Sequence, residues 1–142
     1  MEFLIKPYEG VGDVQFGMSV TQVRSFLGSE FESFNRTSES AHPCDYFELI
    51  GFFVYYTESG EVEAIEFCSK AVVEFEQKKL FDLSFSELTD LLHKFDQEVE
   101  IECDGLTSYQ LGIGAYAPLL DEEGTACKPE SIIVFERGYY DK

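Results

Sequence analysis

The chain has 142 residues, 44% hydrophobic and 15% aromatic, which is enough for one buried core and too rich in bulky apolar groups for a disordered chain. Its 28 Asp+Glu against 10 Lys+Arg give a formal net charge of −18, a field that repels nucleic acid and anionic membrane surfaces and attracts cationic partners. No membrane-spanning run or secretory h-region occurs in these residues, so residues 1–142 read as one acidic, cytoplasmic α+β domain.

Gly10-Val11-Gly12 comes first along the chain; it lacks the third glycine and the strand–turn–helix setting of a dinucleotide fingerprint. Ser19, followed three places later by Gln22, spells a capping box that starts a helix near Val20, with Val23, Phe26 and Leu27 as its buried stripe and Gly28 as its stop. Arg36–Pro43 reads as an exposed loop. Strands are expected at Tyr46–Leu49, Gly51–Thr57 and Val62–Cys68, the last two joined antiparallel through a Ser59-Gly60 turn. Ala71–Phe75 is a further strand. Ser84 and Glu87 form a second capping box, Leu88, Leu91 and Leu92 supply the stripe of that helix, and His93 ends it where a basic group complements the dipole. Strands follow at Val99–Cys103, Tyr109–Ala115 and Ile132–Arg137, with Gly112 and Gly114 marking a bulge or a close backbone approach and Leu120–Pro129 an exposed loop.

The two capping boxes lie 65 positions apart, as do Phe16 and Phe81, Val23 and Leu88, and Leu27 and Leu92. The expected fold is therefore α+β: antiparallel sheets with two short helices, arranged as a duplicated α-β-β-β unit. The alternative is that two common caps align by chance.

Little in the chain suggests bond-making chemistry. Cys44, Cys68, Cys103 and Cys127 are scattered, without a CxxC pair, and read as reduced and mostly buried thiols; no metal or cofactor is expected. His42 and Cys44 share one loop two residues apart, a spacing that rarely gives a Cys-His nucleophile pair its geometry. No catalytic residue is assigned, and the chain reads as a non-enzyme.

The most informative run is Asp96, Glu98, Glu100, Glu102 and Asp104, with apolar Val99, Ile101 and Cys103 between them. A strand here buries one face and displays a row of carboxylates, same-face neighbours lying about 7 Å apart. That row is a docking surface for a basic partner; the competing reading is a strand face kept soluble by charge. Glu61 and Glu63 belong to a second acidic group near the hairpin, with Tyr55 beside them as a candidate aromatic anchor.

The opening Gly10-Val11-Gly12-Asp13-Val14-Gln15-Phe16-Gly17-Met18-Ser19, continued by Val23-Arg24-Ser25-Phe26-Leu27-Gly28, resembles the start of small bacterial cytosolic immunity-type proteins of toxin–immunity systems, including contact-dependent growth inhibition. It is also similar to helix starts of outer-membrane assembly lipoproteins, whose signal and cysteine are missing from these residues. The immunity resemblance implies an inhibitor that covers the basic active-site face of a cationic toxin domain, a nuclease above all, and this agrees with the charge. The alternative is an acidic structural or housekeeping domain, as a homodimer joined through an aromatic strand face.

Overall fold

Phe3 and Ile5, two places apart, turn one face of the first strand to the core, while apolar Leu4 between them points outward. In the computed structural model, which describes residues 2–141, Glu2–Lys6 (β1) buries Phe3 and Ile5 and exposes the residues between. Gly10–Val11 (β2) and Val14–Gln15 (β3) fold back on it as a tight antiparallel pair, so the glycine pair of this segment serves a turn. Val20–Leu27 (α1) follows. Glu32–Phe34 (β4), Cys44–Phe47 (β5), Phe52–Tyr56 (β6) and Val62–Cys68 (β7) then form an antiparallel meander. Val72–Phe75 (β8) returns to pair parallel with β1, and Lys78–Lys79 (β9) pairs with β8. After Phe85–His93 (α2), a second meander runs through Glu100–Glu102 (β10), Gly105–Ser108 (β11), Ile113–Tyr116 (β12) and Ser131–Phe135 (β13), with the four-residue Leu120–Glu123 (α3) in its last connection.

The last strands of the two meanders pair antiparallel, Val134 opposite Ile65 and Ile132 opposite Phe67. They thereby fuse both halves into one eight-stranded sheet of order β10-β11-β12-β13-β7-β6-β5-β4, beside a five-stranded sheet of order β3-β2-β1-β8-β9. One face of the large sheet contributes Phe47, Phe52, Ile65, Phe67, Ile113, Ile132 and Val134 to the main core. Val23 of α1, Leu88, Leu91 and Leu92 of α2, and Phe3, Ile5, Val73 and Phe75 of the small sheet cover it. Phe52 sits at the centre, its ring 4.9 Å from Phe3 and 4.8 Å edge-on from Phe67.

Both capping boxes form. The Ser19 hydroxyl accepts from the Gln22 amide at 3.2 Å and the Gln22 side chain accepts from the Ser19 amide at 3.0 Å; Ser84 and Glu87 do the same at 3.1 and 3.0 Å. A buried polar contact ties α1 to the sheet. Arg24 donates from two nitrogens to Asp45 of β5 at 3.0 and 2.9 Å, and the Tyr56 hydroxyl donates to the same carboxylate at 2.9 Å. The hydrogen bond to Asp45 raises the Arg24 pKa, and burial raises that of Tyr56.

Several expectations need correction. The Phe26 side chain of α1 is exposed, and only Val23 of its expected stripe is fully buried, because this helix covers the sheet along a narrow line. Among the described residues the α-helices number three, with α3 inside the segment expected to be an exposed loop; Cys127 and Pro129 of that segment are buried. Each of α1 and α2 is followed by a meander of four strands instead of three, since β4 and β11 escaped the strand pattern.

Candidate protein-binding surface

Among the described residues the other face of the large sheet is covered by no α-helix. Successive strand residues point to opposite faces, so the pairings define which side chains share it. One register line crosses all eight strands. From one edge it passes Glu32, opposite Tyr46, opposite Phe53, opposite Glu66. It continues through Ile133 and Gly114 to Thr107 and ends on Glu100 at the far edge. Carboxylates thus stand at both ends and in the middle, with apolar groups between. Tyr46 and Phe53 stack at 4.1 Å between ring centres, and exposed Phe34 meets Phe53 edge-on at 6.4 Å. Gly114 lowers the line at its own position, where a Cβ would press on the Ile133 side chain at 3.0 Å; the close backbone approach expected in this run falls at Gly112, where a Cβ would meet the Phe135 carbonyl oxygen at 2.8 Å.

Beside this line the face is partly roofed. Cys44, Tyr55, Ala64 and Phe135 form a small second core under Tyr8 and Tyr139. The Arg36 guanidinium lies 4.2 Å above the Tyr55 ring, and the Tyr55 hydroxyl donates to Glu66 at 2.6 Å. Burial and then the bond to Glu66 push the Tyr55 hydroxyl far above its ordinary pKa, so it remains a donor. Burial works against the Arg36 charge, but Tyr55, Tyr139 and Glu66 outweigh it and hold its pKa above the usual value.

The residues expected to bind a partner divide into those the fold displays and those it uses. Glu98, Glu100, Glu102 and Asp104 are exposed, Glu100 and Glu102 on the open face of edge strand β10. Asp96 is not part of that display. It is 3% exposed, accepts from the Ser108 hydroxyl at 2.7 Å and from the Glu98 amide at 2.9 Å, and so fastens the end of α2 to β11. Of the residues expected to be buried between the carboxylates, Val99 packs half-buried against the main core, but Ile101 is 52% exposed and Cys103 exposed, because an outermost strand has a neighbour on one side only. Tyr55 is 8% exposed, so the Arg36 roof removes it as an anchor. Glu61 is exposed at the hairpin turn, where it accepts from Ser59 at 3.2 Å, and Glu63 is half-buried beside a cleft. Four strand steps of about 4.8 Å separate β10 from β7, roughly 19 Å, so the two acidic groups form separate patches at physiological salt.

That cleft, about 450 Å³, is lined by His42, Cys44, Tyr56, Glu63 and the Arg36 loop. It brings the His42–Cys44 pair together with open space, yet not as a nucleophile and base. The His42 Nδ1 lies 2.8 Å from the Pro43 carbonyl oxygen, the Cys44 thiol is buried, and burial raises the thiol pKa, the reverse of activation. Among the described residues no group of His, Cys, Asp and Glu has the arrangement of a metal site, and no helix is long and apolar enough to cross a membrane.

Tyr46, Phe53, Glu66 and Ile133 escaped the sequence reading as a unit because their alignment depends on three strand pairings. Phe53 and Glu66 each stand in a legible aromatic or acidic group, but nothing local places them side by side. No protein-family model matches the chain, and neither the curated proteins nor the solved structures contain a detectable relative.

Proposed function

We propose that the protein is a cytoplasmic, immunity- or antitoxin-like inhibitor that binds a cationic bacterial toxin domain, a nuclease in the first instance, and covers its basic active-site face. It acts by binding alone, without a cofactor, metal or catalytic step. The observation that carries this reading is the exposed carboxylate set Glu98, Glu100, Glu102 and Asp104 at the sheet edge of a chain with net charge −18. Such a surface competes with nucleic acid for a basic cleft and accelerates encounter with it. The resemblance of the N-terminal segment to immunity-type proteins supports the same reading.

The paired architecture further supports a duplicated origin: a capped helix followed by an antiparallel meander occurs twice, with the caps 65 positions apart. The repeated unit in this proposal has four strands after its helix.

The test is co-expression with the toxin domain encoded beside the gene. Restored growth and a co-purifying complex that dissociates as salt rises are the expected results; continued toxicity with no complex would refute the inhibitor. A stable homodimer without affinity for basic proteins, seen by analytical ultracentrifugation, would instead establish the structural-domain alternative, which the exposed aromatic groups Phe34 and Tyr116 favour.

A further inference from the structure

We infer that the partner docks across the open face of the eight-stranded sheet, along the register line from Glu32 to Glu100, and meets it with two separated cationic points, one at each end, and apolar groups between them. This inference rests on the inhibitor reading and adds where, and with what spacing, the contact is made. Seven strand steps place Glu32 about 34 Å from Glu100, while Glu66 between them already accepts from the Tyr55 hydroxyl and faces the Arg36 guanidinium. The separation exceeds the screening length of about 8 Å at physiological salt. Each end therefore needs a cation of its own, and one basic cluster on the partner does not serve both. Between them, stacked Tyr46 and Phe53 on one side and Ile133 on the other provide surface that gains from losing water.

Two further observations favour this face and a basic protein as its occupant. None of the strand positions pointing to it carries Lys or Arg, and two cations over it, Arg36 on Tyr55 and Arg137 on Tyr8, lie at its roofed part, away from Glu32 and Glu100 at the edges. Lys78 and Lys94 line a groove with Glu87 and Asp90 at α2, and Lys128 acts on Glu87 from the same side, so α2 attracts a cationic molecule less than the sheet edges do. Seven strand spacings and strands of three to seven residues, averaging four to five, give a footprint of about 34 by 15 Å, on the order of 500 Å² before side-chain relief. That is the scale of one side of a standard interface, about 800 Å². A second copy of this chain would bring like charge to the same face.

The experiment measures binding kinetics of the neighbouring-gene toxin domain, catalytically inactivated, against the wild-type chain and variants with unchanged circular dichroism. Glu32→Lys and Glu100→Lys, at opposite ends of the line, are each expected to slow association about tenfold or more and to flatten its salt dependence. Tyr46→Ala should speed dissociation about tenfold, and Asp90→Lys on α2 should change neither rate. Wild-type binding with Glu32→Lys silent overturns the docking line while the inhibitor stands, whether or not Glu100→Lys has an effect. Absence of wild-type binding overturns both. A dimer broken by the two charge reversals makes a second copy the occupant and overturns the basic partner.

Discussion

Replacing Arg24 by methionine removes one partner of the ion pair that ties α1 to the sheet and leaves the other in place. The two partners differ in access to water: the Arg24 side chain is 36% exposed and that of Asp45 1%. Loss of Arg24 strands a carboxylate that keeps only the Tyr56 hydroxyl, 2.9 Å away. Breaking a fully buried pair costs about 3–5 kcal/mol; with one side of this pair open to water, about 2–4 kcal/mol is expected for Arg24→Met. Asp45→Asn removes the charge but keeps an acceptor for Tyr56, while the guanidinium turns outward into water and retains its contact with the Phe31 ring at 4.1 Å. Its cost should be about 1–2 kcal/mol. In a chain of this size each kcal/mol moves the melting temperature by about 2–4 °C, so the two variants separate in thermal and urea unfolding followed by circular dichroism. In the double variant the costs should fall short of their sum, since the charge that Arg24 served has gone. Asp45→Asn proving costlier than Arg24→Met, or both lying below about 0.5 kcal/mol, would refute this account of the contact.

Three other expectations are open to direct measurement. The Glu87 carboxyl is held below its usual pKa by the Ser84 backbone amide, so its contribution to α2 is present above the unfolded-state value and lost as pH falls through the folded one. Glu87→Gln, the residue α1 uses at the same cap position, should keep the helix and flatten the acid slope of stability between about pH 3 and 5 in urea titrations. Asp96→Ala removes the Ser108 hydrogen bond that joins the end of α2 to β11 and the local one from the Glu98 amide, and should cost about 1–3 kcal/mol; Glu98→Ala, from the displayed part of the same run, should change stability by less than about 0.5 kcal/mol. Thiol titration of the native chain should find Cys103 reacting first and Cys68 more slowly, with Cys44 and Cys127 reacting only on unfolding.

What the sequence discloses here is what neighbours in the chain decide. A capping box closes within four residues, so both helix starts were legible to the residue, and the Ser59-Gly60 turn fixed the β6–β7 hairpin in the same way. The buried stripe of α2 was legible too, whereas Phe26 in α1 carried the same signal and lies outside, because exposure there depends on what the sheet presents beneath. Asp96 shows the limit most clearly. Its place in an alternating run of acids marks it as surface, and only Ser108, brought opposite by the return of β11, makes burial tolerable. Tyr55 fails for a similar reason, as its cover comes from Arg36 and Tyr139, both distant in sequence. The strand Glu2–Lys6 was not legible, since exposed Leu4 breaks its apolar–polar alternation, and its parallel pairing with β8 joins segments from opposite ends of the first half.

The seam between β7 and β13 also bears on how the chain is made. During synthesis Cys68 leaves the ribosome 63 residues ahead of Ser131, its partner across that seam. At about 5–20 residues per second this leaves β7 without its central neighbour for roughly 3–13 s. Throughout that interval the longest strand of the sheet offers a bare hydrogen-bonding edge to any other nascent chain. Chains stopped before β13 should therefore collect in the insoluble fraction, and β13 acts as the closing piece that covers the bare edge of a half-finished sheet.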